Sequence, residues 1–182
     1  MLCGIDEAGR GCIAGPLVVA GVVLKEPIAG LNDSKVLSEK KRETLFEIIR
    51  NKAEYKIIFC DNNMVDEKGL SICLKYAITQ IQNHFAGHPI LMDGNCTFGV
   101  NNIQTMVKAD AKIPQVSAAS ILAKVSRDHF MYEIARHYPQ YNFEKHKGYG
   151  SALHIAKIKQ FGYCELHRQS FKIKSLNQPS LF

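Results

Sequence analysis

Metal-ligand cysteine spacing is the first thing missing from this chain. Its six cysteines, Cys3, Cys12, Cys60, Cys73, Cys96 and Cys164, include no Cys-x-x-Cys pair and sit mostly among apolar neighbours. That pattern argues against a zinc site and fits reduced, buried thiols in a cytoplasmic protein. Long apolar runs are missing too. Leu17-Val18-Val19-Ala20-Gly21-Val22-Val23-Leu24 is far too short to cross a membrane. No leader-like segment precedes the first apolar run, no repeat recurs, and no linker divides the 182 residues. One domain spanning 1–182, cytoplasmic and monomeric, is the expectation.

Acid is scarce at one end. Residues 1–123 carry 13 Lys+Arg and 13 Asp+Glu, whereas residues 124–182 carry 10 and 4. The whole net charge of +6, and five of the seven histidines, therefore lie in the last third. A neutral body with a basic end suits a polyanionic partner, although a basic surface alone does not identify one.

What is present is concentrated in Ile5-Asp6-Glu7-Ala8-Gly9-Arg10-Gly11. Adjacent carboxylates repel unless a divalent cation lies between them. Glycines beside an arginine let backbone N–H groups approach a polar ligand, with the guanidinium available for phosphate. Gly9-x-Gly11-x-x-Ala14 also looks like a dinucleotide fingerprint, but that motif must open a helix. Here Gly15-Pro16 and a β-branched run follow, so the connection reads as strand to strand.

Periodicity predicts strands over 2–7, 16–24, 55–60, 89–93 and 103–107. Helices are expected from an N-cap at Ser38 to about 51, over 64–84, from Pro114 to about His137, and near 151–161. After Pro139 the chain reads as loop to Gly150. Interleaved strands and helices with a helical end indicate an α/β or α+β layer fold.

Asp6, Glu7, Asp93 and Asp110 each lie at or just past the end of a strand expected here. Four carboxylates balance two Mg²⁺ or Mn²⁺ ions, and oxygen-only ligands suit those hard cations. Two such ions are a common device for displacement at phosphorus. A lone aspartate at a strand end is ordinarily a turn residue, so only the Asp6-Glu7 pair stands out by itself. Neighbouring strand residues point to opposite faces, so sharing one site calls for a bend at Glu7. Asp128 lies four residues after Lys124 on a helix and reads as half of an intrahelical pair.

With these residues in view the chain resembles ribonuclease HII, the type 2 ribonuclease H family, over roughly Cys3 to Phe171. The resemblance rests on Gly4 to Gly11, Leu31-Asn32-Asp33-Ser34-Lys35, Met92-Asp93-Gly94-Asn95 and Lys108-Ala109-Asp110. It continues through Val116 to Val125 with Arg127-Asp128, and His146-Lys147-Gly148-Tyr149-Gly150. It implies a ribonuclease H-like α/β fold: a mixed five-stranded sheet flanked by helices, with a C-terminal helical part over about 138–175. Asp6, Glu7, Asp93 and Asp110 would then bind two divalent ions, Mn²⁺ or Mg²⁺. Gly9, Arg10 and Gly11 would read the junction between a ribonucleotide and DNA, and Tyr149 would sense the 2′-hydroxyl. Asp33, Ser34 and Lys35 would help hold the backbone, and His146 and Lys147 are expected to touch phosphate.

The implied activity is endonucleolytic hydrolysis of RNA in RNA·DNA hybrids. It includes nicking 5′ of a single ribonucleotide in duplex DNA, which leaves 3′-hydroxyl and 5′-phosphate ends. Two other readings compete: a resolvase-like nuclease on the same fold, which has no use for a 2′-hydroxyl sensor, and a binding module with degenerate acids, which would lack some of the four carboxylates. The tail, 176–182, ends on exposed apolar residues. Gln178, Leu181 and Phe182 resemble a peptide that docks on a replication sliding clamp; packing back on the domain is the alternative.

Overall fold

Alternation along the first strands sorts the core into two layers. The structure, a computed structural model, describes residues 1–173 and Leu176. In chain order it contains β1 (Cys3–Ala8), β2 (Leu17–Leu24), α1 (Glu39–Lys52), β3 (Ala53–Cys60), α2 (Asn62–Lys68) and α3 (Leu70–His84). Then follow β4 (Ile90–Asp93), β5 (Gln104–Met106), a 3-10 turn at Ala109–Ala111, α4 (Pro114–His137), a second 3-10 turn at Pro139–Tyr141, α5 (Phe143–His146) and α6 (Ala152–Phe161).

Cys3, Ile5, Leu17 and Val19 pack on one sheet face against Leu74, Ala77, Ile78 and Ile81 of α3. Val18, Ala20 and Val22 pack on the other against α1 and against Ala118, Ala119, Ile121 and Leu122 of α4. Gly4 lets α4 lie close, because a Cβ there would stand 2.3 Å from the Gln115 carbonyl carbon.

The sheet order is β3-β2-β1-β4-β5. β1 and β2, and β2 and β3, run antiparallel, whereas β4 and β5 run parallel to β1. This is the mixed five-stranded sheet flanked by helices that the resemblance implied. The carboxyl ends of β1, β4 and β5 consequently open on the same edge, where open α/β sheets place ligands.

The structure departs from the sequence expectations in two segments. The helix expected over 64–84 breaks at Gly69, whose φ of +79° is open to glycine but strained for other residues. Asp61 caps the earlier piece, accepting from Met64 N at 2.7 Å. The loop expected after Pro139 contains the second 3-10 turn and α5. Among the described residues no helix is long and apolar enough to cross a membrane.

Candidate active site

β1 pairs with β4 only as far as Ile5↔Met92, but with β2 through Ala8↔Val18. Its last residues thus have one free edge, and a cleft of about 230 Å³ opens there. Asp6, Glu7, Gly9, Arg10, Gly11, Ser34, Lys35, Asp93 and Tyr149 all line it. Asp6 follows Gly4 on the α4 face and Glu7 follows Ile5 on the α3 face, yet both reach the cleft because it wraps the end of the sheet. The bend expected at Glu7 is absent; the ladder is continuous to Ala8, and the turn comes at Gly9, φ +89°.

Asp93 closes β4 and accepts from Ala109 N at 2.7 Å. That bond holds the 3-10 turn carrying Asp110 beside the strand end. Ser117 Oγ fixes the same turn by donating to the Asp110 carbonyl at 2.6 Å. Asp110 is buried and does not line the cleft, but Lys35 Nζ bridges the two at 3.6 Å from its Oδ2.

Crowded, buried carboxylates resist ionisation. Asp6 is pushed up to about 8, chiefly by burial and next by Glu7, against a Ser120 hydrogen bond that favours the charge. Burial likewise raises Glu7 despite Arg10, and raises Asp110 with help from Asp93 and Asp33. Burial opposes the Lys35 charge, but Asp33, Asp110, Asp6 and Asp93 together outweigh it and hold its pKa above the ordinary lysine value. Asp33 is a loop residue whose Oδ1 accepts from Lys35 N at 2.8 Å, so it shapes the lysine's approach.

The donor set is all oxygen and strongly anionic, which fits hard divalent cations in type and charge. Among the described residues no three His, Cys, Asp or Glu side chains stand close enough to hold an ion as they are. Closing on a cation therefore requires the carboxylates to draw together.

Two loops meet across the cleft. Gly148 O accepts from Ile13 N at 2.9 Å and Ala14 N at 3.2 Å. Arg127, fully buried, donates from Nε to Pro16 O at 2.9 Å, from Nη2 to Ala14 O at 3.0 Å and from Nη1 to Lys147 O at 2.7 Å. One guanidinium thus staples the Ala14–Pro16 segment, which follows the Gly9–Gly11 turn, to the segment carrying Tyr149. Arg168 does similar work, donating to Gly15 O at 3.0 Å and Arg10 O at 3.3 Å. The Tyr149 ring faces Lys124 and Arg127 at 5.5 and 5.6 Å. Burial and then Cys12 push its phenol up to about 12, so it stays a protonated donor at neutral pH.

The sequence reading placed His146 and Lys147 on phosphate, and the structure turns both inward. His146 is buried, with Nε2 2.9 Å from Tyr141 O and Nδ1 accepting from Gly148 N at 3.2 Å. Neither nitrogen is left for a phosphate. Lys147 Nζ donates to Glu144 O and lies 4.0 Å from the centre of the Tyr132 ring. Asp128 pairs with Lys124 at 2.8 Å, as its helical spacing suggested. Ser120 and Lys124, which line the cleft, were not singled out from sequence, and neither were Arg127 and Arg168 as staples. Gln178, Leu181 and Phe182 lie outside the described residues.

The family model for ribonuclease HII matches residues 3–174. The chain belongs to the ribonuclease HII family. It is accordingly an enzyme, a nuclease of the ribonuclease H type. It is 60% identical over 179 residues to ribonuclease HII of Aliarcobacter butzleri strain RM4018, covering 97% of this chain and 93% of that one. A solved PCNA:RNase HII complex from Archaeoglobus fulgidus superposes with a TM-score of 0.82 at 28% identity, covering 100% of this chain and 98% of its own. Ribonuclease H2 from Pyrococcus horikoshii OT3 gives 0.78 at 27% identity, over 94% and 93% of the chains. These neighbours share the ribonuclease H-like architecture described above.

Proposed function

We propose that this enzyme hydrolyses the RNA strand of RNA·DNA hybrids and nicks on the 5′ side of single ribonucleotides in duplex DNA, leaving 3′-hydroxyl and 5′-phosphate ends. The observation that carries the reading is the convergence of Asp6, Glu7 and Asp93 with Tyr149 and the Gly9–Gly11 turn on one cleft. Asp110 joins them through Lys35. Acids for catalysis and groups for selection then act on the same phosphodiester.

Bound among the four carboxylates, two Mg²⁺ or Mn²⁺ ions would supply Lewis-acid activation of water and stabilisation of the leaving oxygen. The remaining work falls to the chain's own groups. Lys35 and Lys124 bring positive charge to the cleft for the substrate backbone. The Tyr149 phenol, held protonated, donates to the 2′-hydroxyl, the group that separates RNA from DNA at one position. Gly11 leaves open room for the strand: a Cβ built there meets nothing within 4 Å.

The Archaeoglobus relative was solved with PCNA. We include in the proposal that Gln178, Leu181 and Phe182 dock this chain on a sliding clamp; deleting 177–182 should then remove clamp binding and leave cleavage intact. The cutting reaction is tested by mapping the nick on a duplex carrying one ribonucleotide, labelled on either side. A single cut on its 5′ side with an extendable 3′-hydroxyl is expected. A cut on the 3′ side, or cleavage of long hybrids alone, would overturn the embedded-ribonucleotide reading.

A further inference from the structure

Three imidazoles that do not line the cleft are packed against the Tyr149 segment. His146, His154 and His167 are 8%, 0% and 1% exposed. The His146 and His154 rings stack with centroids 4.1 Å apart, and His154 Nε2 stands 3.0 Å from His167 Nε2. Phe143 lies 5.4 Å from His154, and Tyr141 5.1 Å from His167.

The hydrogen bonds assign every ring nitrogen. His167 Nδ1 faces Cys164 N at 2.8 Å, Cys164 Sγ at 3.1 Å and Cys164 O at 3.2 Å; the backbone N–H is the nearest and can only donate, so Nδ1 accepts from it. The His167 proton therefore sits on Nε2 and is donated to His154 Nε2. His154 must then carry its own proton on Nδ1, 2.9 Å from the Tyr149 carbonyl oxygen. By the same logic His146 accepts from Gly148 N and donates to Tyr141 O. The result is a directed relay of hydrogen bonds: Cys164 N–H to His167, His167 to His154, His154 to Tyr149.

An apolar side chain could fill this space without six nitrogens to satisfy, each costing about 1–3 kcal/mol if left unpaired. What an apolar residue could not supply is the bond that leaves the cluster for the Tyr149 carbonyl. Tyr149 lies between two glycines with its side chain 43% exposed; its N–H donates to His146 O at 2.9 Å and its carbonyl accepts from Ser151 N at 2.8 Å, and the His154 bond adds a side-chain donor to that same carbonyl.

We propose that His154 is a positioning residue for substrate selection: its Nδ1–H bond to the Tyr149 carbonyl, oriented by His167, sets where the tyrosine ring stands in the cleft. This rests on the reading of Tyr149 as the 2′-hydroxyl sensor. His154 touches no substrate and acts only through the backbone of residue 149. A displacement of the sensor by about 1 Å is enough to cost roughly a hundredfold in rate.

The test compares two amides. In His154→Asn the side-chain N–H can sit where Nδ1–H does; in His154→Gln the amide reaches the Nε2 position and leaves the Tyr149 carbonyl without that donor. On duplex carrying one ribonucleotide, His154→Gln should lose about tenfold or more in kcat/KM and His154→Asn should stay within about threefold. Tyr149→Ala should also lose activity, and the Tyr149→Ala/His154→Gln double variant should fall no further than Tyr149→Ala alone. All assays run well below the lowest melting temperature in the set.

Equal activity of the two His154 variants, whether both impaired or both normal, overturns the proposal while Tyr149→Ala is impaired. So does an additive double variant. A fully active Tyr149→Ala refutes the sensor reading itself, and the positioning role falls with it. The unaltered protein gives an independent check: nitrogen-15 spectra should show His154 as the Nδ1–H tautomer and His167 as Nε2–H. The reverse assignment overturns the relay.

Discussion

Lys35 Nζ stands 3.6 Å from Asp110 Oδ2, so the one carboxylate of the four that does not line the cleft is held to it by a lysine that does. The ammonium is largely exposed, and such a pair contributes only about 0–1 kcal/mol to the fold. Its proposed role is toward the substrate. Lys35→Ala should lower kcat/KM about tenfold, the size of one charge-assisted hydrogen bond of roughly 1.5 kcal/mol. The melting temperature should stay within about 2 °C of wild type. A large drop in melting with unchanged kinetics would make the lysine structural.

Gly9 and Gly11 should separate fold from function. At Gly9, φ is +89° and a Cβ would stand 2.2 Å from Arg127 Nε and 2.5 Å from Pro16 O. Gly9→Ala should therefore destabilise by about 2 kcal/mol or more. Gly11 has no such neighbour, so Gly11→Ala should melt like wild type and still lose kcat/KM, because the added methyl occupies substrate space. Full activity in Gly11→Ala would mean that the nucleic acid does not pass there.

Removing the Arg127 guanidinium leaves Pro16 O, Ala14 O and Lys147 O without their donor. Arg127→Met should cost about 3 kcal/mol or more, roughly 6–12 °C for a domain of this size. Its residual activity on ribonucleotide-containing duplex should also fall when assayed below the new melting point. Calorimetry and kinetics on one preparation check both; a stable, fully active variant would mean that the staple is dispensable.

The histidine cluster makes stability pH-dependent. Burial lowers His154 and His167 from 6.5 to about 4; the Tyr149 carbonyl opposes the fall at His154 and the Cys164 carbonyl, 3.2 Å from Nδ1, opposes it at His167, while His146 adds a smaller lowering at both and His167 one at His154. In the unfolded chain these rings protonate near 6.5, so between 6.5 and 4 the unfolded state binds more protons. Stability is then full above pH 6.5 and falls as the pH drops toward 4, on the order of 1.4 kcal/mol per unit for each ring, so roughly 3 kcal/mol for one ring and about twice that for the pair. His154→Asn should flatten roughly half of that fall in a series of thermal melts. Identical slopes in both proteins would assign the effect to other groups.

Much of this was legible in the sequence because it is local. The N-cap at Ser38, the start of α4 at Pro114 and the alternation of β1 and β2 are written in neighbouring residues. The Asp6-Glu7 pair announced itself for the same reason. Asp110 lies just past a strand end, as expected, but the 3-10 turn that carries it is held by Asp93, 16 residues before Ala109 in the chain, and by Ser117, and neither bond shows in the sequence. Arg127 and Arg168 are charged residues that a sequence reading leaves on the surface; only the fold brings loop carbonyls to them. His146, between two lysines, suggested phosphate, and its burial comes from partners at Tyr141 and Gly148 that periodicity does not reveal.

The central claim is that Asp6, Glu7, Asp93 and Asp110 form a nuclease centre that works only with divalent ions. It is tested most directly by incubating wild type and Asp110→Asn with duplex DNA containing one ribonucleotide, in Mg²⁺, in Mn²⁺ and in EDTA. Wild type should nick beside the ribonucleotide with either ion and stop in EDTA. Asp110→Asn should bind the duplex but lose about a hundredfold or more in rate. Cleavage that survives EDTA, or undiminished turnover by Asp110→Asn, would contradict the account.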